Sequence, residues 1–451
     1  MPSGPTTTSA RRWARTAAVI TGAVVTLAAP SPPGVDARAA ALLHPHAAPV
    51  RAQPVPAPVG DIPEVSAVMT TAIAAHRLPG AVVLVGHRGD IVLRRAFGVR
   101  KPAGEPGIDG VPTPAEVMTE NTIFDVASLT KVLATATAVM QLCERGEVRL
   151  DEPVQTYLPA FNVTRDPRRT AVTVRALLTH TSGLPGDVNL DDPWGLANAD
   201  KAEGVRRALT APLESEPGSG FRYSDINFIL LGALIEAVTG APEDAYVRGN
   251  VFAPLGMTQT RYLPSSAPVA HNASLLARVA PTRTDVEGRP RTNPHFGRLM
   301  RGVVDDPTAR RMGGVAGHAG VFSTAHDVGL FAQALLDRLA GRPSTFPLQQ
   351  ATLQMMTTPY RPSAPGPVHA TRGLGWDIDT GYSGSRGSLF PVGSFGHTGF
   401  TGTSLWLDPG SDSYVVVLSN AVHTPGSPPI ARLAGAVATA AARALGVGPP
   451  R

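Results

Sequence analysis

The chain has 451 residues, 43% of them hydrophobic, which is enough to fill a sizeable core. Its 46 glycines and 44 prolines stay below the roughly 25–30% share that marks low-complexity chains, so collagen-like and wholly disordered readings are excluded. A formal charge of +5 invites a nucleic-acid or anionic-surface partner, while a single cysteine, Cys143, excludes an intramolecular disulfide and any thiolate metal site.

The first residues account for the charge. Arg11, Arg12 and Arg15 precede an uncharged, mostly apolar run from Thr16 to Ala29, which stops at Pro30, and Ala37-Arg38-Ala39 follows. That order predicts a secretory signal peptide over residues 1–39, with an uncleaved anchor as the alternative. The run is shorter than the roughly 20 residues that span a bilayer, so no stable membrane span is expected after cleavage. A secreted or cell-envelope location follows. Without residues 1–39 the chain holds 36 basic and 34 acidic residues, and no nucleic-acid partner is expected. Residues 40–63 are rich in proline and alanine and read as an extended tether. Its His44 and His46 sit in a flexible segment and make a poor metal site; no metal and no cofactor are expected.

Order is expected to begin with a helix from Val65 to His76, broken at Leu78-Pro79-Gly80. Ala81–Val85 and Ile91–Ala96 read as strands around the turn Arg88-Gly89-Asp90. Val126 to Leu142 reads as one helix, ending at a Cys143 taken as a packed small hydrophobe. Residues 161–299 mix helices with proline-rich loops and read as a mainly helical domain. Asp327–Leu339 is expected as a helix, Thr403–Leu407 and Tyr414–Ser419 as a hairpin, and Ile430–Leu445 as a closing helix. The fold class predicted is α/β: an antiparallel sheet flanked by helices, formed by 64–160 and 300–448 and split by the helical insertion.

Three segments carry chemistry. In Ser128-Leu129-Thr130-Lys131 a hydroxyl and an amine stand three apart at a helix start, on one face and within reach of each other. A hydroxyl nucleophile needs a group to take its proton, and lysine can serve where arginine, always charged, cannot. Only Lys101, Lys131 and Lys201 are lysine among the 40 basic residues, so a lysine kept at this position stands out. The structural alternative is Ser128 as a helix cap and Lys131 as a surface charge. Phe221-Arg222-Tyr223-Ser224-Asp225 precedes an apolar helix, and Phe395-Gly396-His397-Thr398-Gly399-Phe400 precedes the C-terminal hairpin.

In order and spacing these segments resemble the S-x-x-K, Y-x-N and K/H-x-G motifs of the serine β-lactamase and penicillin-binding-protein superfamily, class C-like branch. Thr179-His180-Thr181-Ser182-Gly183-Leu184-Pro185, Gly146–Val154 and Leu374-Gly375-Trp376 extend the resemblance over about residues 65–445. It implies Ser128 as the acylated nucleophile, Lys131 as the group that activates it and Tyr223 as the relay to the leaving group. Asp225, His397, Thr398, Gly399 and Phe400 would bind substrate, and the N–H groups of Ser128 and Phe400 would form an oxyanion hole. His180 reads as a loop anchor.

Two departures from the pattern bear on chemistry. Asp225 stands where penicillin-recognising members have asparagine; ionised, it only accepts hydrogen bonds and should hold Lys131 as an ammonium, shifting the role of base toward Tyr223. His397 replaces the lysine usual in class C β-lactamases. The loop Met312-Gly313-Gly314-Val315-Ala316-Gly317-His318-Ala319-Gly320 resembles a subgroup with muropeptide amidases, but Val303–Ala309 lacks that subgroup's His and Asn; His318 is read as packing the loop in preference to touching substrate. The resemblance implies a secreted serine hydrolase acting through an acyl-enzyme on a peptide, amide or ester, with a small-molecule or peptidoglycan-derived substrate. A β-lactamase and a slow-deacylating penicillin-binding protein or sensor are the alternatives.

Overall fold

A computed structural model describes residues 60–267, 272–360 and 370–448. The expected signal peptide, the tether up to residue 59, and His44 and His46 lie outside the described residues. Eleven strands are described: β1 Gly80–His87, β2 Asp90–Lys101, β3 Glu116–Val117, β4 Phe124–Asp125, β5 Arg261–Tyr262, β6 Val321–Ser323, β7 Thr371–Arg372, β8 Asp377–Asp379, β9 Phe395–Gly399, β10 Thr403–Asp408 and β11 Ser413–Ser419. Eight of them form one antiparallel sheet in the order β3-β2-β1-β11-β10-β9-β8-β7, and β4-β6-β5 form a small second sheet. The first and last strands pair at the centre, Ala81 to His87 against Ser419 to Ser413.

Strand alternation divides the core into two layers. Val83, Val85, Trp406, Val415 and Val417 face one side and pack with Val65 and Met69 of the helix Pro63–Ala74 and Val437 and Ala441 of the helix Ile430–Ala444. Val82, Leu84, Leu405, Leu407, Val416 and Leu418 face the other, against Phe331 of the helix Ala325–Leu339 and a larger cluster reaching Leu133, Leu177 and Phe228. Because both faces are covered, Ala81–Val85 and Tyr414–Leu418 are near-continuous apolar runs. The α/β class and the antiparallel sheet are as expected, and the termini of the expected elements move by only a few residues. Residues 161–299 hold the helices Val174–Leu178, Lys201–Thr210, Asp225–Thr239, Glu243–Val247 and Ala273–Leu276, with the two-residue β5.

One element differs in kind. The expected helix from Val126 to Leu142 is a 3₁₀ turn over Ala127–Leu129, a π-helical stretch over Lys131–Ala136, and an α-helix only over Thr137–Glu144. Ala127 enters it with φ of +46°, a left-handed conformation that a β-carbon disfavours. Its N–H is held by Asp125 Oδ1 at 2.9 Å, while Asp125 Oδ2 accepts from the Asp305 N–H at 2.7 Å. A π stretch here is typical of functional sites. At the C-terminal end of this helical region Cys143 is partly buried, and burial pushes its thiol up to about 12, so it is no reactive thiolate. Among the described residues no single helix is long and apolar enough to cross a membrane.

Candidate active site

The 3₁₀–π start places Ser128 and Lys131 together. Lys131 is fully buried; its ammonium donates to Ser128 Oγ at 2.9 Å and to the His318 carbonyl at 2.9 Å, and it forms an ion pair with Asp225, whose Oδ1 lies 2.6 Å away. Burial alone would depress its pKa, but Asp225 and Tyr223 overcome it and the pKa lies above the ordinary lysine value. The expected ammonium is therefore the resting form. Since Lys131 donates to Ser128 Oγ, the serine's own hydrogen is left to point elsewhere.

Asp225 begins the helix Asp225–Thr239, where a carboxylate also suits the positive end of the helix dipole. Two residues earlier Tyr223 crosses the Lys131 ammonium, with the nitrogen 5.1 Å from the ring centre. Burial raises the Tyr223 pKa, Lys131 lowers it and Asp225 raises it again, leaving it above the usual phenol value. Tyr223 thus rests as a neutral phenol. The ring is held by His180, fully buried and packed against it at 4.6 Å between centroids, the two rings tilted by 31°. His180 Nδ1 accepts from the Ser224 N–H at 3.1 Å and meets Asn227 Nδ2 at 3.2 Å, and burial with nearby Arg372 and Lys131 keeps it uncharged. His180, read from the sequence as an anchor of its own loop, ties that loop to the Tyr223 turn.

The facing wall is β9. Gly399 tolerates no side chain: a β-carbon there would lie 2.4 Å from the Val126 carbonyl. Thr401 and Thr403 donate to the Asp125 and Val126 carbonyls at 2.7 and 3.0 Å, which bolts the β9–β10 turn to the Ser128 segment. His397 Nδ1 lies 2.8 Å from the Thr398 carbonyl, so Nδ1 carries the hydrogen. Burial, Arg372 and Lys131 hold this imidazole neutral, leaving Nε2 as a buried acceptor without a partner among the described residues.

Ser128, Tyr223, His397, Thr398, Gly399 and Phe400 line one cavity of about 1030 Å³, at the upper end of the roughly 300–1,000 Å³ usual for small-molecule sites. Phe400, Tyr382 and Val286 stand at its walls with 71%, 50% and 70% of their surface exposed. Asp225 pairs with Lys131 but does not line this cavity. Among the described residues no group of three or more His, Cys, Asp or Glu side chains is arranged to hold a metal ion.

Sequence reading missed two carboxylates. Asp306 Oδ1 lies 2.8 Å from His318 Nε2, and Asp187 takes Thr308 Oγ1 on both its oxygens at 3.1 and 3.0 Å. Burial together with Asp306 and Asp225 pushes Asp187 up to about 7. Asp306 lies in the Val303–Ala309 stretch whose departure from the subgroup pattern was the one available signal.

The geometry of a serine, an ammonium and a phenol around one cavity has a family to match. The Beta-lactamase family profile matches residues 65–440, and the chain belongs to that family, a β-lactamase-related class of serine hydrolases. It is 33% identical over 365 residues to a protein of Escherichia coli O157:H7 provisionally named D-alanyl-D-alanine carboxypeptidase, covering 78% of this chain and 80% of that one. Among solved structures, a penicillin-binding protein homologue from Caulobacter crescentus superposes with a TM-score of 0.62 at 20% identity, covering 86% of this chain and 99% of the other. EstCE1, described as a hydrolase with promiscuous acyltransferase activity, does so at 0.62 and 23%, covering 84% and 97%. At such identities the two structures speak for the fold.

Proposed function

We propose that this chain is an exported hydrolase that cleaves a peptide, amide or ester through an acyl-enzyme on Ser128, with a peptidoglycan-derived peptide as substrate. The observation that carries the reading is the 2.9 Å contact between Ser128 Oγ and a buried Lys131 at the edge of an open cavity. In this mechanism Ser128 Oγ adds to the substrate carbonyl carbon as its proton passes to the Tyr223 oxygen, in the minority of molecules where that oxygen is ionised beside the Lys131 ammonium. The N–H groups of Ser128 and Phe400 receive the developing oxyanion. Collapse breaks the bond to the leaving group, which takes the proton from Tyr223, and water then adds to the ester and frees Ser128. Support for a wall peptide comes from the carboxypeptidase naming of the relatives and from the basic, then apolar start of the chain, which reads as an export signal. Secreted or cell-envelope placement is part of the proposal.

Intact-mass spectrometry of the full chain tests this with a fluorophosphonate, a penicillin, a p-nitrophenyl ester and a peptide ending in D-alanyl-D-alanine. The expected results are a fluorophosphonate adduct on Ser128, turnover of the peptide or ester, and loss of both in Ser128→Ala. A stable penicillin adduct without turnover would move the reading to a slow-deacylating binder, and turnover of the penicillin to a β-lactamase. Absence of any adduct on Ser128 would remove the catalytic reading.

A further inference from the structure

His318 is fully buried, does not line the cavity, and touches the site through its backbone alone. Its carbonyl accepts from Lys131 Nζ at 2.9 Å, and the preceding carbonyl, of Gly317, accepts from Thr135 Oγ1 at 2.7 Å. Lys131 and Thr135 stand one turn apart on the same helical stretch, so two consecutive loop carbonyls are gripped by two side chains of one helix face. The loop cannot drift the other way. Gly317 lies against Gly232 of the helix Asp225–Thr239 so closely that a β-carbon on Gly317 would sit 2.1 Å from the Phe228 carbonyl. What fixes the loop's remaining freedom is the His318 ring, whose Nε2 lies 2.8 Å from Asp306 Oδ1. Asp306 is itself immobilised, because the same oxygen caps the helix Pro307–Arg311 through the Ala309 N–H at 2.8 Å.

We propose that His318 and Asp306 form a buried clamp that positions Lys131, holding the His318 carbonyl where it takes one ammonium hydrogen so that another is aimed at Ser128 Oγ. The inference rests on the Ser128 acyl-enzyme reading and adds a positioning residue to it. With the carbonyl out of place, the ammonium loses its one neutral backbone acceptor, and the Asp225 carboxylate draws it away from the serine. The charge state agrees with a clamp: burial opposes ionisation of both groups, yet their pairing raises His318 above the ordinary histidine value and takes Asp306 down to about 2. Asp187, Asp225, Glu243 and Lys131 are titratable groups that interact with the pair, and Asp125 and Asp305 interact with Asp306.

The test compares His318→Phe, which fills the space without a donor, with His318→Gln, whose amide nitrogen can stand where Nε2 stood and donate to Asp306. Fluorophosphonate labelling of Ser128 and steady-state ester hydrolysis are the readouts, with melting temperature measured alongside. His318→Phe is expected to slow labelling about 100-fold, the scale of a catalytic group displaced by about 1 Å, through kcat with KM unchanged. His318→Gln is expected to restore most of that loss. Equal rates in His318→Phe and the parent would overturn the clamp, as would equal losses in both variants at unchanged melting temperature. If His318→Phe fails to fold, Asp306→Ser keeps a helix cap but is too short for the ring, and it should show the same kcat loss; parental kcat there overturns the proposal. A parent protein that takes no label on Ser128 fails the acyl-enzyme reading instead, so the two failures are distinct.

Discussion

Lys131 donates to Ser128 Oγ and to the His318 carbonyl, and its ion-pair partner is Asp225, 2.6 Å away. An opposite charge at this range typically moves a pKa by roughly 1–3 units toward the charged form. Asp225 also raises Tyr223, so both groups that could accept the Ser128 proton hold their own more firmly because of one carboxylate. Asp225→Asn should therefore release the Lys131–Tyr223 pair at lower pH and shift the acidic limb of kcat/KM down by about one unit or more. The pH profile of ester hydrolysis measures it, and an unmoved limb would take Asp225 out of the proton balance. This position was legible in the sequence because it falls inside a motif. Asp187 and Asp306 were not, since they lie far from Ser128 along the chain and no spacing rule brings them to the loop that carries His318. The scarcity of lysine was a partial guide only: Lys101 is equally buried, but it donates to the carbonyls of Pro102, Glu105 and Pro114 and pins a loop.

At the scale of elements, catalysis depends on how closely β9 approaches the turn that carries Ser128. Gly399 makes the approach possible, and a β-carbon there would meet Thr403 Oγ1 at 2.1 Å as well as the Val126 carbonyl. Gly399→Ala should push the Phe400 N–H away from Ser128. Overpacking of this kind destabilises by about 1–3 kcal/mol, while acylation should slow about 100-fold, so activity falls far below what the lost folded fraction explains. Labelling rate and thermal unfolding measured on one preparation separate the two, and a loss that tracks stability alone would contradict the role given to β9. The strands were readable because each is a short apolar run between turn residues. The π stretch was not. Every side chain from Lys131 to Leu142 is buried, so no polar face marks the period and six residues cannot distinguish π from α winding.

The molecule as a whole buries ionisable groups well beyond Ser128's immediate partners, and folding is linked to pH through them. Burial, the largest cause, raises Asp125, Asp187 and Glu243 to about 7 each. A carboxyl whose folded pKa is raised adds stability below its unfolded pKa, and that stability is lost as pH climbs through the folded value, here between roughly pH 4 and 7. Asp306, taken down to about 2 by His318 against the effect of burial, has the opposite sign, but its contribution is complete once pH exceeds about 5. His180 and His397, held neutral by burial, gain stability with rising pH up to about 6.5 and oppose the carboxyls, so the total curve does not isolate any one group. A difference between two proteins does. Glu243 is fully buried and does not touch the cavity; its Oε1 lies 2.8 Å from Thr135 Oγ1, whose one hydrogen goes to the Gly317 carbonyl, so the protonated carboxyl is the donor in this contact. Glu243→Gln keeps a donor toward Thr135 Oγ1 in its amide N–H and removes the titration. Relative to the parent it should gain stability steadily from pH 5 to pH 8, by up to roughly 3 kcal/mol for a shift of about 2.5 units. Denaturant unfolding of both proteins at pH 5, 6.5 and 8 gives that difference directly, and a pH-independent offset would mean that Glu243 is not the group that titrates.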